Sequence, residues 1–96
     1  MPWNNKVGYP LTEQNVVSRV PPTSGVYGIY RDNNWVYFGE SDNLSRRLHE
    51  HLSDASHAMH RYAPLHFSFE VLPLGRVARQ DQLICEFNPA CNQKLG

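Results

Sequence analysis

The residues best equipped for chemistry are Tyr27 and Tyr37, ten positions apart in two β-branched and aromatic runs, Arg47 in a leucine-rich segment just beyond them, and the polar stretch Arg79-Gln80-Asp81-Gln82. A phenol is a weak acid that both donates and accepts hydrogen bonds. A guanidinium is a permanent cation whose fork of donors matches phosphate oxygens. Each also has a plainer reading: strand tyrosines usually pack, a lone helix arginine is usually solvated, and a polar run is usually the wet face of a helix. Cys85 and Cys91 have no CxxC spacing and no companion pair, so neither a zinc site nor a redox motif is indicated. They read as reduced thiols of a cytosolic protein.

The elements that must position these residues follow from local pattern. Residues 1–10 show no period and read as an irregular arm that docks Trp3 and Tyr9 on the body. Thr12 caps a short helix that ends before Pro21-Pro22. Val26–Tyr30 and Trp35–Gly39 read as the two strands of a hairpin around Arg31-Asp32-Asn33-Asn34, whose Asp and Asn tolerate left-handed backbone. Ser41 or Asp42 caps an amphipathic helix with Leu44, Leu48 and Leu52 on one face. Residues 53–65 read as a loop or short helix, His66–Leu72 as a third strand, and Val77–Phe87 as a last helix stopped by Pro89. The expected fold is α+β: a small three-stranded antiparallel sheet flanked by helices, a β-β-α-β-α core preceded by an N-terminal helix.

Ninety-six residues allow one domain, here 1–96, and its nine basic and nine acidic residues sum to zero. That balance excludes a highly basic nucleic-acid coat protein but not a basic face hidden behind an acidic one. There is no apolar run after a basic cluster at the start, and no stretch of about 18 apolar residues, so neither a signal peptide nor a membrane span is expected. The expected location is the cytoplasm.

Together these residues resemble the GIY-YIG nuclease superfamily. Gly25-Val26-Tyr27 matches its first motif, Tyr37-Phe38-Gly39 its second, Asp42 to His51 its basic helix, and Leu83-Ile84, Pro89 and Asn92 its last helix and the turn beyond. The match spans about residues 23–92, with 1–22 as an arm and short helix. The resemblance implies a divalent-metal-dependent endonuclease, using Mg2+ or Mn2+, that hydrolyses phosphodiester bonds in DNA, acting as a monomer or as a dimer on its substrate. In-line attack builds charge on phosphate oxygens and on the leaving alkoxide, which calls for a fixed cation, a metal and a group that activates water. By resemblance Arg47 clamps phosphate, and Tyr27 and Tyr37 position and deprotonate the water, one as general base. A phenol of ordinary pKa near 10 is a poor base, so the cation and metal would have to lower it. Asn92 would bond within the tyrosine cluster. His51 is similar to a recurrent family histidine that would touch phosphate, and also reads as a surface histidine at a helix end. Arg46, Arg47, Glu40, Arg79 and Trp35 would line the nucleic acid, with Trp35 or Tyr62 stacking on bases of a single strand.

Two positions depart from the family. Gln80 stands where the metal-binding glutamate belongs, and an amide is a weak ligand for a hard cation. Asp81 is rotated about 100° around the helix and Glu86 about 240°, so neither replaces it. Gln80 is then either an inactivating replacement of a native glutamate or the mark of a member that binds nucleic acid without cutting it. Glu40 stands where many members carry lysine; it removes a phosphate contact or adds a carboxylate toward the metal. A scaffold with a purely structural role is the remaining alternative, since fold does not fix function.

Two geometric expectations follow. Tyr27 and Tyr37 must share one sheet face, which in a plain ladder needs Tyr27 opposite Tyr37 across a three-residue turn, or a bulge, with Asn33 left-handed. Arg46, Arg47, Arg61, Arg76 and Arg79 all follow the hairpin and would form a small basic cleft on an otherwise acidic body.

Overall fold

The computed structural model describes residues 8–54 and 57–92. Strands β1 (Tyr9–Pro10), β2 (Gly25–Arg31), β3 (Asn34–Ser41) and β4 (His66–Val71) form one sheet in the order β1-β4-β2-β3, with every pairing antiparallel. Helices α1 (Glu13–Arg19), α2 (Leu44–Ser53) and α3 (Arg76–Phe87) flank it, and a short 3-10 helix covers Ala58–Tyr62. The fold is the expected α+β class with one strand more than the three expected. Part of the supposed arm is that strand: Tyr9 pairs with Phe67 and lies tilted against its ring at 5.8 Å, while the Arg19 guanidinium lies 4.4 Å above Tyr9. Two paired residues leave no alternation to read. Trp3 lies outside the described residues.

Central β2 is buried over Gly25–Tyr30, so its two faces seed two cores. On one face Tyr27 and Ile29 meet Val16 and Val20 from α1 and its end, Leu44 and Leu48 from α2, and Phe67. On the other, Val26 and Tyr30 meet Trp35, Phe38 and Leu83, the last from α3. Helices α2 and α3 therefore lie on opposite faces. The α2 cap is Asn43, whose side chain accepts from the Arg46 backbone N–H at 3.0 Å, rather than Ser41 or Asp42. Ser41 instead bonds the Asn43 backbone N–H at 3.0 Å and so shapes the turn into the helix.

The hairpin keeps its two tyrosines on one face by a bulge. Arg31 pairs with Asn34 and Tyr30 with Trp35, but Ile29 pairs with Tyr37, leaving Val36 as the extra residue. With Asp32 and Asn33 alone in the turn, an unbroken ladder would send Tyr27 and Tyr37 to opposite faces. The bulge restores them to the same side, and Val36 joins that core as well. Two details differ from expectation. The left-handed residue is Asp32, at φ 53°, not Asn33. The residue opposite Tyr27 is Gly39, with Tyr37 on the diagonal.

Candidate active site

Glycine at position 39 makes room for the Tyr27 ring: a Cβ there would lie 2.3 Å from both Cζ and Oη of Tyr27. The phenol thus crosses β3 and reaches α2. Its hydroxyl lies 2.6 Å from Nε2 of His51, which is 2% exposed. His51 follows Leu44 by seven residues and Leu48 by three, so it sits on the buried stripe of α2. The reading of His51 as a surface histidine is corrected by that burial. Arg47, one turn before His51, is half-buried beside both phenols and is oriented by Glu50 at 3.0 Å.

Ring contacts complete the cluster. Tyr37 lies 6.2 Å from Tyr27 and 5.5 Å from His51. His57 stands edge-on to Tyr37 at 5.0 Å and to His51 at 5.1 Å. Its Nδ1 accepts the Met59 backbone N–H at 3.1 Å, so the neutral ring carries its proton on Nε2. Sequence reasoning missed His57, because nothing in residues 53–65 marks one histidine above its neighbours.

Electrostatics corrects the expected lowering of the tyrosine pKa. Burial, with the Tyr37 phenol beside it, pushes Tyr27 well above the ordinary phenol value, outweighing the pull of Arg47. Burial, then the Arg47, His57 and His60 charges, lowers His51 to about 4. At neutral pH the pair is a neutral phenol and a neutral imidazole sharing a hydrogen bond, with no resting phenolate.

The remaining sequence candidates lie elsewhere. Asn92 does not bond to the tyrosines: its amide brackets Phe38, accepting from the backbone N–H and donating to the carbonyl, the latter at 2.9 Å. It ties the C-terminal segment to the free edge of β3 and so positions Tyr37 from outside. Trp35 is 7% exposed among Tyr30, Phe38 and Phe87, which leaves its indole face no room to stack on a base. Gln80 is half-buried on α3, and no hydrogen bond joins it to Tyr27, Tyr37, Arg47 or His51.

The expected basic cleft is largely neutralised. Arg46 pairs with Asp42 at 2.8 Å, Arg47 with Glu50 at 3.0 Å, Arg76 with Glu40 at 2.6 Å and Arg79 with Glu70 at 3.0 Å. Glu40 and Glu70 both sit opposite Val26, on the α3 face of the sheet, where the two helix arginines reach down to them. Glu40 and Arg79 are therefore committed to ion pairs rather than presented to a ligand.

A divalent cation fits these residues poorly. Position 80 offers an amide, and the two half-buried carboxylates facing α3 each hold a guanidinium. Among the described residues no three His, Cys, Asp or Glu side chains are disposed to hold a metal. Nor is any helix there long and apolar enough to cross a membrane.

The sequence model of the GIY-YIG catalytic domain matches residues 23–81. Among solved structures the fold is similar to the N-terminal GIY-YIG endonuclease domain of UvrC from Thermotoga maritima. The magnesium-bound form is 21% identical with a TM-score of 0.70, covering 83% of this chain and 93% of that one. A point mutant bound to its catalytic divalent cation is 19% identical with a TM-score of 0.70, covering 84% and 93%. At such identities the likeness establishes the fold alone. The chain matches no curated protein sequence.

Proposed function

Because the chain belongs to the GIY-YIG catalytic-domain family, a family of endonucleases, we propose that it binds DNA in single-stranded form and hydrolyses its phosphodiester bonds at the Tyr27-Tyr37-His51-Arg47 cluster, at a rate held down by Gln80. The observation that carries this is the buried 2.6 Å contact between Tyr27 and His51 beside Arg47. It brings together an imidazole, a phenol and a guanidinium, which this reading uses as proton acceptor, relay hydroxyl and phosphate clamp.

Arg47 binds a non-bridging phosphate oxygen, its charge permanent and its direction set by Glu50. In the tautomer with Nε2 of His51 unprotonated, Tyr27 donates its proton there and its oxygen keeps a lone pair for the attacking water. As the water oxygen bonds to phosphorus, its proton passes to the Tyr27 oxygen and the phenol proton passes to His51, which becomes imidazolium. The leaving alkoxide takes a proton from solvent. A bound phosphate also cancels the Arg47 charge that depresses His51, so substrate binding itself makes the imidazole more basic. In the similar UvrC domain a divalent cation is catalytic; here the amide of Gln80 replaces the carboxylate the family motif supplies, and we assign the impairment to that exchange.

A second reading, a nucleic-acid-binding module that does not cut, is favoured by the same Gln80 and by the ion-paired Glu40 and Glu70. The two separate when the chain and its Gln80→Glu variant are incubated with single- and double-stranded DNA and RNA, with and without magnesium or manganese. The nuclease reading expects binding by both and metal-dependent cleavage by the Glu variant, lost again on Arg47→Ala with the fold intact. Binding without cleavage by the Glu variant leaves the module, and absence of binding by either overturns both.

A further inference from the structure

A groove of about 710 Å3 lies at the tip of the hairpin, away from the tyrosine cluster. Its walls are Arg31, Asn33 and Asn34 from the hairpin, Tyr62 from the end of the 3-10 helix, and Asn88 from the end of α3, with the buried edge of Trp35 in the lining. We propose that this groove is a nucleobase subsite for single-stranded nucleic acid, with Tyr62 as the stacking platform and the asparagine amides reading the base edge. The assignment rests on the nucleic-acid reading above and extends it to a place the family motifs do not touch.

The chemistry of the lining selects a base over a phosphate. Arg31 is not available as a phosphate clamp: its guanidinium donates to the Ala63 carbonyl at 2.8 Å and lies 3.7 Å from the Asp32 carboxylate. Apart from Asp32, which also lines the groove with its carboxylate beside Arg31, the polar lining is neutral, three amides that each offer a donor and an acceptor, the pattern that pairs with a base edge. Tyr62 is 40% exposed, unusual for a large aromatic side chain in this small protein. The Arg31 bonds to the Tyr62 and Ala63 carbonyls fix the backbone that carries it. An aromatic face held rigidly at the surface is what sequence-tolerant stacking requires.

Two elements run from the groove to the cluster, and both give the same spacing. Along β3, Asn34 leads to Tyr37 in three residues, about 10 Å of strand. Along the 3-10 helix, Tyr62 leads back to His57 in five residues, also about 10 Å.

The test is binding, which Gln80 does not compromise. Fluorescence anisotropy of the intact chain with a labelled single strand of about 12 nucleotides is compared for wild type, Tyr62→Ala, Tyr62→Phe and Arg47→Ala. Tyr62→Ala should weaken binding about tenfold or more and Tyr62→Phe should not. Abasic substitutions along the strand should weaken wild-type binding at one or two positions, and Tyr62→Ala should be indifferent at those same positions. If Arg47→Ala weakens binding while Tyr62→Ala and every abasic strand leave it unchanged, the groove takes no base and this proposal fails while the cluster reading stands. If wild type binds no strand, both fail together.

Discussion

Acidification should destabilise this protein through His51 by about 2 kcal/mol between about pH 8 and about pH 5. The imidazole is buried against the Tyr27 hydroxyl, and burial, then the Arg47, His57 and His60 charges, holds it down at about 4 against a smaller opposing pull from Asp54. In the unfolded chain a histidine binds its proton near 6.5. Between those two values only the unfolded chain takes up the proton, so the contribution is complete above about pH 7 and drains away as pH falls toward 4. At about pH 5 the difference amounts to about 2 kcal/mol, and below the folded value it reaches about 3 kcal/mol. That is a large share of the roughly 5–15 kcal/mol that holds a small domain together. His57, also lowered mainly by its burial, adds a loss of the same sign. Urea unfolding in small pH steps, beside a His51→Gln variant, isolates the group: glutamine keeps a partner for Tyr27 but does not titrate. The wild-type midpoint should fall with acid more steeply than the variant's. Parallel curves, or a His51 ring resonance titrating near 6.5, would refute the assignment of a neutral buried imidazole.

Gly39→Ala should destabilise by roughly 1–3 kcal/mol, since its Cβ would overlap the Tyr27 ring at a buried position. Thermal unfolding reads the loss, and a rise in the His51 pKa by NMR would report that the phenol has been driven off it. Asn92→Ala removes both amide bonds to Phe38 and should cost about 1–3 kcal/mol. Hydrogen exchange at the Phe38 amide should quicken while the β2 amides keep their protection.

Much of this was legible in the sequence where a periodic pattern carried it. The hairpin, the leucine stripe of α2 and the last helix are written in alternation or in fourfold spacing, and they emerge with ends moved by a residue or two. The motifs around Tyr27, Tyr37 and Arg47 likewise point to the cluster these elements build. His51 was readable too: it continues the stripe of Leu44 and Leu48, a position where a histidine must be buried. Less could be foreseen where long-range contacts decide. β1 is two residues whose pairing depends on β4, and His57 is placed by a cap within its own short helix. The ion pairs of Glu40 with Arg76 and Glu70 with Arg79 join residues brought together only by the register of three strands. Counting charges along the chain therefore suggested a basic cleft where the folded protein has neutral pairs. Burial of Trp35 follows from the two-residue turn, which pairs it with Tyr30 on the α3 face.

The bulge in the ladder sets a counting rule for the hairpin. With Val36 looped out, a turn of two residues keeps both phenols on the α2 side. At this interval of ten residues a two-residue turn needs the bulge, whereas a three-residue turn would need a regular ladder. Turn length and the presence of the bulge are thus coupled at a given separation of the two tyrosines. Among chains of this architecture, an even interval such as the one here goes with a bulged ladder over an even turn, or with a regular ladder over an odd one. A residue inserted in the turn leaves the strand pairing and the shared face unchanged, whereas one inserted within a strand, between the turn and either tyrosine, sends that phenol to the α3 side unless a second bulge absorbs it.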